Sequence, residues 1–588
     1  MTTATDILHA IEARLDEDDK LRLADIHAPT EVAIPPGDAY RDLCVLPDGR
    51  IRHYGRRTIG GVPRRVYLES CNAGLDWVPH IVHDDREIGA CIPSPLSGRW
   101  LTVASRAEFS KPLGIFPDAM EPHGTYAILS PDGPGGHDLA FAKITDEDYA
   151  NIRQPLALRA RRRIATVGQT CGKKPKHPVF LFSDDEVSWR VVDLEPAPRF
   201  EVVYPHKGTR WQEDACEPTL TELDDGTLVV LARTSQDFHY QYVSHDGGET
   251  WSKPAPSIFH GTITMPCFLR LADGRQLLFW CDTQPLPELA HDEPYLNAGE
   301  RRGDCEDVFT NRDAAHAAVA NADFTGWTGF REILLSAVRN NADYRVTHRA
   351  TGIDKSVHQF QAVELPGGKV LVSLGQNEAA RRLLIFDVSW LYEKTRETNF
   401  SDGLDTVSTH LFYKSLTGNI RDWDFGGHCA WNRMSGAHAV PSPDGDAHEV
   451  LKVSFNGNAD LVSAREGVTW NFPAARRGSL ELELRTPGAG VVLSLLDRWF
   501  NPSDVFAPYY AAFTCEVRDL PRDRWTLLRL DFDLDAGKLA VLADGAPFAA
   551  VELKNASPCG LNYLHLLSLA ERPGDEGTLV KRLSATVQ

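Results

Sequence analysis

The sequence predicts an all-β protein, a six-bladed β-propeller followed by a C-terminal β-sandwich. Three observations carry this reading. Helical periodicity fades after the first residues, one hairpin signal recurs six times, and the chain beyond residue 427 alternates polar and apolar residues with period two.

Taken in order, residues 1–30 are expected to form a helical strap. Asp6 is read as the cap of a short amphipathic helix in which Ile7, Ile11 and Leu15 share one face. Residues 31–400 are expected to be the propeller. Its repeating signal is a leucine, a tight Gly-containing turn and an apolar strand. Clear copies run from Leu46 to Arg50, Leu223 to Thr227, Leu271 to Arg275 and Leu365 to Lys369, and degenerate ones from Leu96 to Arg99 and Leu158 to Ile164. Gly supplies the positive φ of such turns, and the strands that follow (227–232, 276–280, 370–374) are short and apolar enough to be buried. One hairpin per blade gives the blade number. Residues 401–426 are read as a connection, within a stretch that carries Trp390, Tyr392 and Trp423, and 427–588 as the sandwich. There, 479–484, 525–532 and 539–542 alternate as half-exposed antiparallel strands do.

Composition narrows the function. With 588 residues, 42% hydrophobic and 24% charged, the chain is an ordinary globular protein too long for one core. A net charge of -20 with no basic stripe argues against nucleic acid. No apolar run approaches the length of a membrane helix, so no membrane partner is expected. Eleven cysteines without a C-x-x-C pair and an N-terminus without signal-peptide features suit a cytoplasmic location. The segment Asp304-Cys305-Glu306-Asp307 offers oxygen ligands from its carboxylates, but no zinc spacing, phosphate loop or nucleophile elbow is present; neither metal nor cofactor is expected.

A second repeat sharpens the fold. Ser244-His245-Asp246-Gly247-Gly248-Glu249-Thr250-Trp251 has the form S-x-D-x-G-x-T-W, and Ser70 to Trp77 keeps its spacing with Asn72 for Asp. Looser copies end at Trp189, after Ser183 and Asp185, and at Trp327, after Asp323. This is the Asp-box, and the chain on these motifs resembles the sialidase superfamily of six-bladed, BNR-repeat propellers. Asp and Ser bond the turn, Gly takes the left-handed position and Trp packs beneath, so the motif speaks for fold and not for chemistry. The alternating C-terminal segment is similar to laminin-G or concanavalin-like jelly rolls.

The resemblance also implies a site. Cys216-Glu217-Pro218-Thr219, followed by Arg233 and the full Asp-box, resembles the blade that delivers the family's catalytic glutamate, which makes Glu217 the leading candidate. The family binds a substrate carboxylate with three arginines. Arg41, in Tyr40-Arg41-Asp42-Leu43, and Arg312, eight residues before Ala320, match two of them; His239-Tyr240-Gln241-Tyr242 stands where the other belongs. The loop 58–63 holds no aspartate for the family's acid/base. Ser356-Val357-His358-Gln359-Phe360-Gln361 holds no tyrosine for its nucleophile. His358 occupies that slot and can exchange protons near neutral pH. Tyr240 is carried as a further catalytic candidate, and Arg233, Gln359 and His316 as substrate-binding ones. The acidic insertion 282–307 is read as a rim or lid, or equally as a solvated loop.

These departures argue against ordinary sialic-acid hydrolysis. The expectation is a glycoside hydrolase acting on the end of a carbohydrate, an acidic one if Arg41 and Arg312 engage it, with Glu217 as base or electrostatic partner and His358 as proton donor or acceptor. A polysaccharide lyase abstracting a uronate proton, and a non-catalytic carbohydrate-binding propeller, remain open. The sequence leaves the oligomeric state open.

Overall fold

A computed structural model of the chain describes residues 4–35, 43–82, 88–106, 116–117, 119–131, 133–135, 138–172, 175–198, 201, 204–205, 209–210, 215–286, 305–306, 312–336, 339–340, 356–375, 380–401, 403–412, 433–445 and 448–588. Six antiparallel sheets follow one another along the first two thirds of the sequence. Blade one comprises Leu43–Val45, Ile51–Ile59, Val62–Ser70 and Val78–Ile81; blade two Ile92–Pro93, Trp100–Ser105, Thr125–Ser130 and Ala140–Thr145. In blade three, Tyr149–Ala150 and Leu156–Leu158 share the innermost position and both pair with Arg163–Thr170, followed by Pro178–Ser183 and Trp189–Asp193. Blade four comprises Cys216–Glu222, Leu228–Arg233, Phe238–Ser244 and Ala255–His260; blade five Cys267–Arg270, Gln276–Trp280, Ala314–Ala320 and Thr328–Leu335. Blade six takes Gln361–Leu365, Lys369–Leu374 and Arg382–Asp387 from late in the chain and its outer strand, Thr30–Ala33, from the beginning.

Each hairpin read from the sequence joins a blade's innermost strand to its second. The period-two geometry of those second strands explains the ring. In Leu228–Arg233, Leu228 and Val230 pack against blade three while Val229 and Leu231 pack against blade four's other neighbour, blade five. The same division repeats between every consecutive pair, including blades six and one, so the stacking closes on itself. At about 1.5–3 kcal/mol for each fully buried Leu or Val, these inter-blade layers hold the ring together. The innermost strands enclose an axial channel of about 420 Å³, which Ile7 of the helix Ala4–Glu12 lines at one end.

The Asp-box turns form as their chemistry requires. Ser244 Oγ accepts from Gly248 N (2.9 Å), Asp246 Oδ1 accepts from Thr250 N (3.0 Å), and the Trp251 indole donates to the Gly248 carbonyl (3.1 Å). Gly248 has φ +94°, and a Cβ there would stand 2.1 Å from the Phe180 ring of blade three, so the turn fixes inter-blade contact as well as its own shape.

Three expectations need correction. Asp6 lies within the first turn of the helix and does not cap it, and a second helix, Glu17–Asp25, follows with Asp16 as its N-cap. That helix buries only Leu23, too little apolar surface to show as periodicity. Residues 401–426 are not simply a connection. Val407–Ser408 pairs with Gly467–Ala475, and Thr395–Thr398, expected at the end of the propeller, already pairs with the sandwich strand Thr578–Val587. The sandwich recruits these short strands from before residue 427 because its two long sheets have edges to cover. Its core lies between a sheet centred on Arg477–Arg485 and one centred on Leu561–Ser568.

The sandwich is fastened to blade five. Trp499 is fully buried between them, its backbone bonded to Asp282 (2.8 Å) and Gln284 (2.9 Å). Among the described residues no helix is long and apolar enough to cross a membrane.

Candidate functional site

At the end of the ring where the innermost strands begin, four successive entries contain a non-glycine residue with positive φ: Asn151, Glu217, Ile263 and Gln359, at +50°, +44°, +53° and +78°. Each such residue costs about 1–3 kcal/mol and persists only where its surroundings impose it. At Glu217 the imposition is visible. The strand slips register between Cys216 and Thr219, and the Glu217 amide donates to Gln169 Oε1 (2.6 Å).

The bulge turns the Glu217 side chain toward Arg233, which pairing places opposite Cys216 at the end of the second strand. Arg233 Nη1 donates to Glu217 Oε2 at 2.5 Å, and both side chains are largely buried. Burial pushes the Glu217 carboxyl upward, but Arg233, with Arg312 and Arg153 beyond it, prevails and holds it below the usual carboxylate range. Glu217 is therefore an anion at neutral pH.

Arg312 precedes the third strand of blade five, and its carbonyl accepts from Val357 N (2.9 Å), which binds the entry of blade six to it. Its guanidinium donates to the Ile263 carbonyl and, through Nη1, to His358 Nε2 at 3.0 Å. His358 is in turn anchored by its own carbonyl, which accepts from Gly375 N (2.8 Å). Glu217 with Arg233, and Arg312 with His358, thus form two polar pairs drawn from three blades, and the Arg312 charge acts on the Glu217 carboxyl. Gln359 is partly exposed beside His358.

Two candidates lie elsewhere. Tyr240 belongs to a third strand, behind the axial layer, and its ring packs in the core between blades three and four. Its phenol donates to Gln236 (3.0 Å), and burial raises its pKa, the opposite of what a base needs. His316 faces the sandwich. Its Nδ1 accepts from Asp282 N (3.0 Å), so Nε2 carries the proton, donated to the Tyr563 hydroxyl (2.5 Å), which donates to Glu332 (2.8 Å). Burial lowers the His316 pKa to about 3, and its ring bridges blade five and the sandwich. Arg41 and most of the acidic insertion, 287–304 and 307–311, lie outside the described residues.

Sequence reasoning missed Arg153. Blade three's innermost strand breaks after Ala150, and the break lets Arg153 donate to the carbonyls of Pro218 (2.6 Å), Glu217 (3.2 Å) and Pro266 (3.3 Å), tying together the entries of blades four and five. Arg381 was also missed. It is fully buried and donates to His53 Nε2 (2.8 Å) between blades six and one. Neither arginine lies in a motif; only the break in pairing marks the first. Among the described residues no cluster of three or more His, Cys, Asp or Glu could hold a metal ion.

Residues 149–304 match the family model of the BNR repeat-like domain. No curated protein matches the chain. Among solved structures, a protein of unknown function from Dyadobacter fermentans is 17% identical, covering 61% of this chain and 96% of that one with a TM-score of 0.38. A Trypanosoma rangeli sialidase, in complex with 2,3-difluorosialic acid, is 10% identical over 95% of this chain and 91% of its own, with a TM-score of 0.34.

Proposed function

We propose that this chain, a sialidase-like propeller divergent at its site, is a glycoside hydrolase that acts on the end of a carbohydrate bearing an acidic sugar. The observation that carries the reading is the pair Glu217–Arg233 and the pair Arg312–His358, buried at the end of the ring where the innermost strands begin, with Arg312 near enough to lower the Glu217 pKa. An ionised carboxylate, guanidinium groups and an imidazole gathered at one end of the ring can bind an anionic sugar and move a proton.

In this reading Arg312 turns one of its N–H groups to the substrate carboxylate. His358 Nε2, relieved of that bond, exchanges a proton with the reacting oxygen. Glu217 enters the reaction ionised and either stabilises positive charge developing on the sugar or is itself protonated by the attacking water. The proximity of Arg312 to His358 equally suits a lyase, in which the bound uronate loses its C5 proton to the imidazole. Products separate the two. Elimination leaves a conjugated double bond absorbing in the ultraviolet, whereas hydrolysis releases a reducing sugar without it.

The test is a screen of oligosaccharides with different terminal sugars, followed by mass. Glu217→Gln and His358→Ala should each lower turnover by about 100-fold or more. Normal rates in either variant would remove that residue from the reaction, and a wild-type protein that binds but never converts any sugar would leave only the binding reading.

A further inference from the structure

We infer that the propeller loop carrying Tyr204 and the sandwich loop carrying Phe506 and Tyr509 together form a sugar-binding platform, a subsite for the units of an oligosaccharide beyond the reacting one. The inference rests on the carbohydrate reading above and extends it to the second domain.

Exposure is the first ground. Tyr204 is 65% exposed and Tyr509 42%, in a protein whose aromatic rings otherwise mostly fill cores. The rings form one group. Tyr204 meets Phe506 at 5.8 Å and Tyr509 at 5.1 Å between centroids, both edge-on. An edge-on pair leaves a broad ring face uncovered by its partner, and the C–H face of a pyranose stacks on such a surface while its hydroxyls reach polar neighbours. Lys554 Nζ lies over the Tyr509 ring, 5.2 Å from its centre, and covers one of its faces, which leaves Tyr204, the more exposed ring, as the main stacking surface.

Rigidity is the second. Phe506 N donates to Asp504 Oδ1 (2.8 Å), Tyr509 N to the Phe506 carbonyl (2.8 Å), and Asn555 Nδ2 to the carbonyls of Tyr509 and Ala511 (2.9 Å each). A surface already held in shape loses little entropy on binding.

Position is the third. The segment bearing Tyr204 leads into the strand of Glu217, and before Tyr204 it is tied to the loop after Arg233 by Gln236 Nε2 donating to the Pro198 carbonyl (2.6 Å). On the sandwich side, Arg498 Nε donates to Gln284 (2.8 Å) and Nη1 to His260 Nε2 (3.3 Å), where blades four and five meet. Both halves of the platform are thus anchored at the end of the propeller where Glu217 lies, and the docking of the sandwich on blade five acquires a use.

The experiment uses the whole chain and a ladder of mono- to pentasaccharides ending in sialic or uronic acid, with binding read on an array and turnover by product release. Wild type should gain about tenfold in affinity from one sugar to three. The double variant Tyr204→Ala, Tyr509→Ala should lose that gain, and Tyr204→Trp, which keeps a ring, should retain it. Glu217→Gln should abolish turnover and keep the gain. An equal gain in the double variant and wild type, or none in wild type, overturns the platform. A gain that depends on these rings in a protein that converts nothing supports the platform and overturns the hydrolase.

Discussion

The Arg312 guanidinium stands 3.0 Å from Nε2 of His358. A guanidinium only donates, so Nε2 is the acceptor and the imidazole is held neutral with its proton on Nδ1. The lone pair through which His358 would take up a proton is already engaged, and a ligand that draws Arg312 away sets it free. In the reaction proposed above, binding of an anion and activation of His358 as a base would then be a single event.

Arg312→Lys keeps the charge and loses the planar fork. KM for an acidic substrate should rise about 10- to 100-fold, with a smaller effect on a neutral analogue of the same sugar. Equal losses on both would show that Arg312 does not read the carboxylate.

Arg233→Met should leave Glu217 a buried anion without its ion-pair partner, costing about 3–5 kcal/mol. With its partner present, Glu217 has a depressed folded pKa, so its contribution to stability is whole above the ordinary carboxylate range and vanishes as pH falls through the folded value. The loss on Arg233→Met should therefore be larger at pH 7 than at pH 3, by urea unfolding. A loss independent of pH would mean that packing, not charge, is what Arg233 supplies.

Asp282, buried where the sandwich meets blade five, behaves the other way. Burial, with Asp497 nearby, raises its pKa well above the ordinary value. The folded chain keeps a proton that the unfolded chain releases, so stability is full in acid and falls as pH rises from the ordinary carboxylate range toward the folded pKa. Asp282→Asn should flatten the decline of Tm between pH 5 and pH 8 in scanning calorimetry. An unchanged slope would place the decline in other groups.

Gly248 and Gly367 share positive φ, at +94° and +73°, but a Cβ at Gly367 would meet nothing within 4 Å. Gly367→Ala should cost about 1–2 kcal/mol for the backbone alone. Gly248→Ala adds a clash with Phe180 and should cost about 3 kcal/mol or more. Equal midpoints in chemical unfolding would contradict the contact between these blades.

What the sequence disclosed was local chemistry. Leu-x-x-Gly turns and the Ser-x-Asp motif act within a few residues, so each hairpin and Asp-box could be read directly. The entries at Glu217, Ile263 and Gln359 could not, because only the surrounding fold imposes positive φ on residues that avoid it. Tyr240 and His316 were misread for a related reason. Which face of a strand looks toward the axis, the next blade or the sandwich depends on neighbours distant along the chain. The strand Thr395–Thr398 was misplaced because its partner lies near the C-terminus.

Blade six borrows its outer strand from the start of the chain, where Thr30–Ala33 pairs with Ile385 to Leu383. During synthesis that strand waits unpartnered until residue 385 has left the ribosome, while blades one to five have already emerged. Ring closure is therefore a late, long-range step, slower than the folding of any single blade. A nascent or truncated product ending before Gln361 presents raw sheet faces on blades one and five, which makes self-association the hazard of incomplete translation.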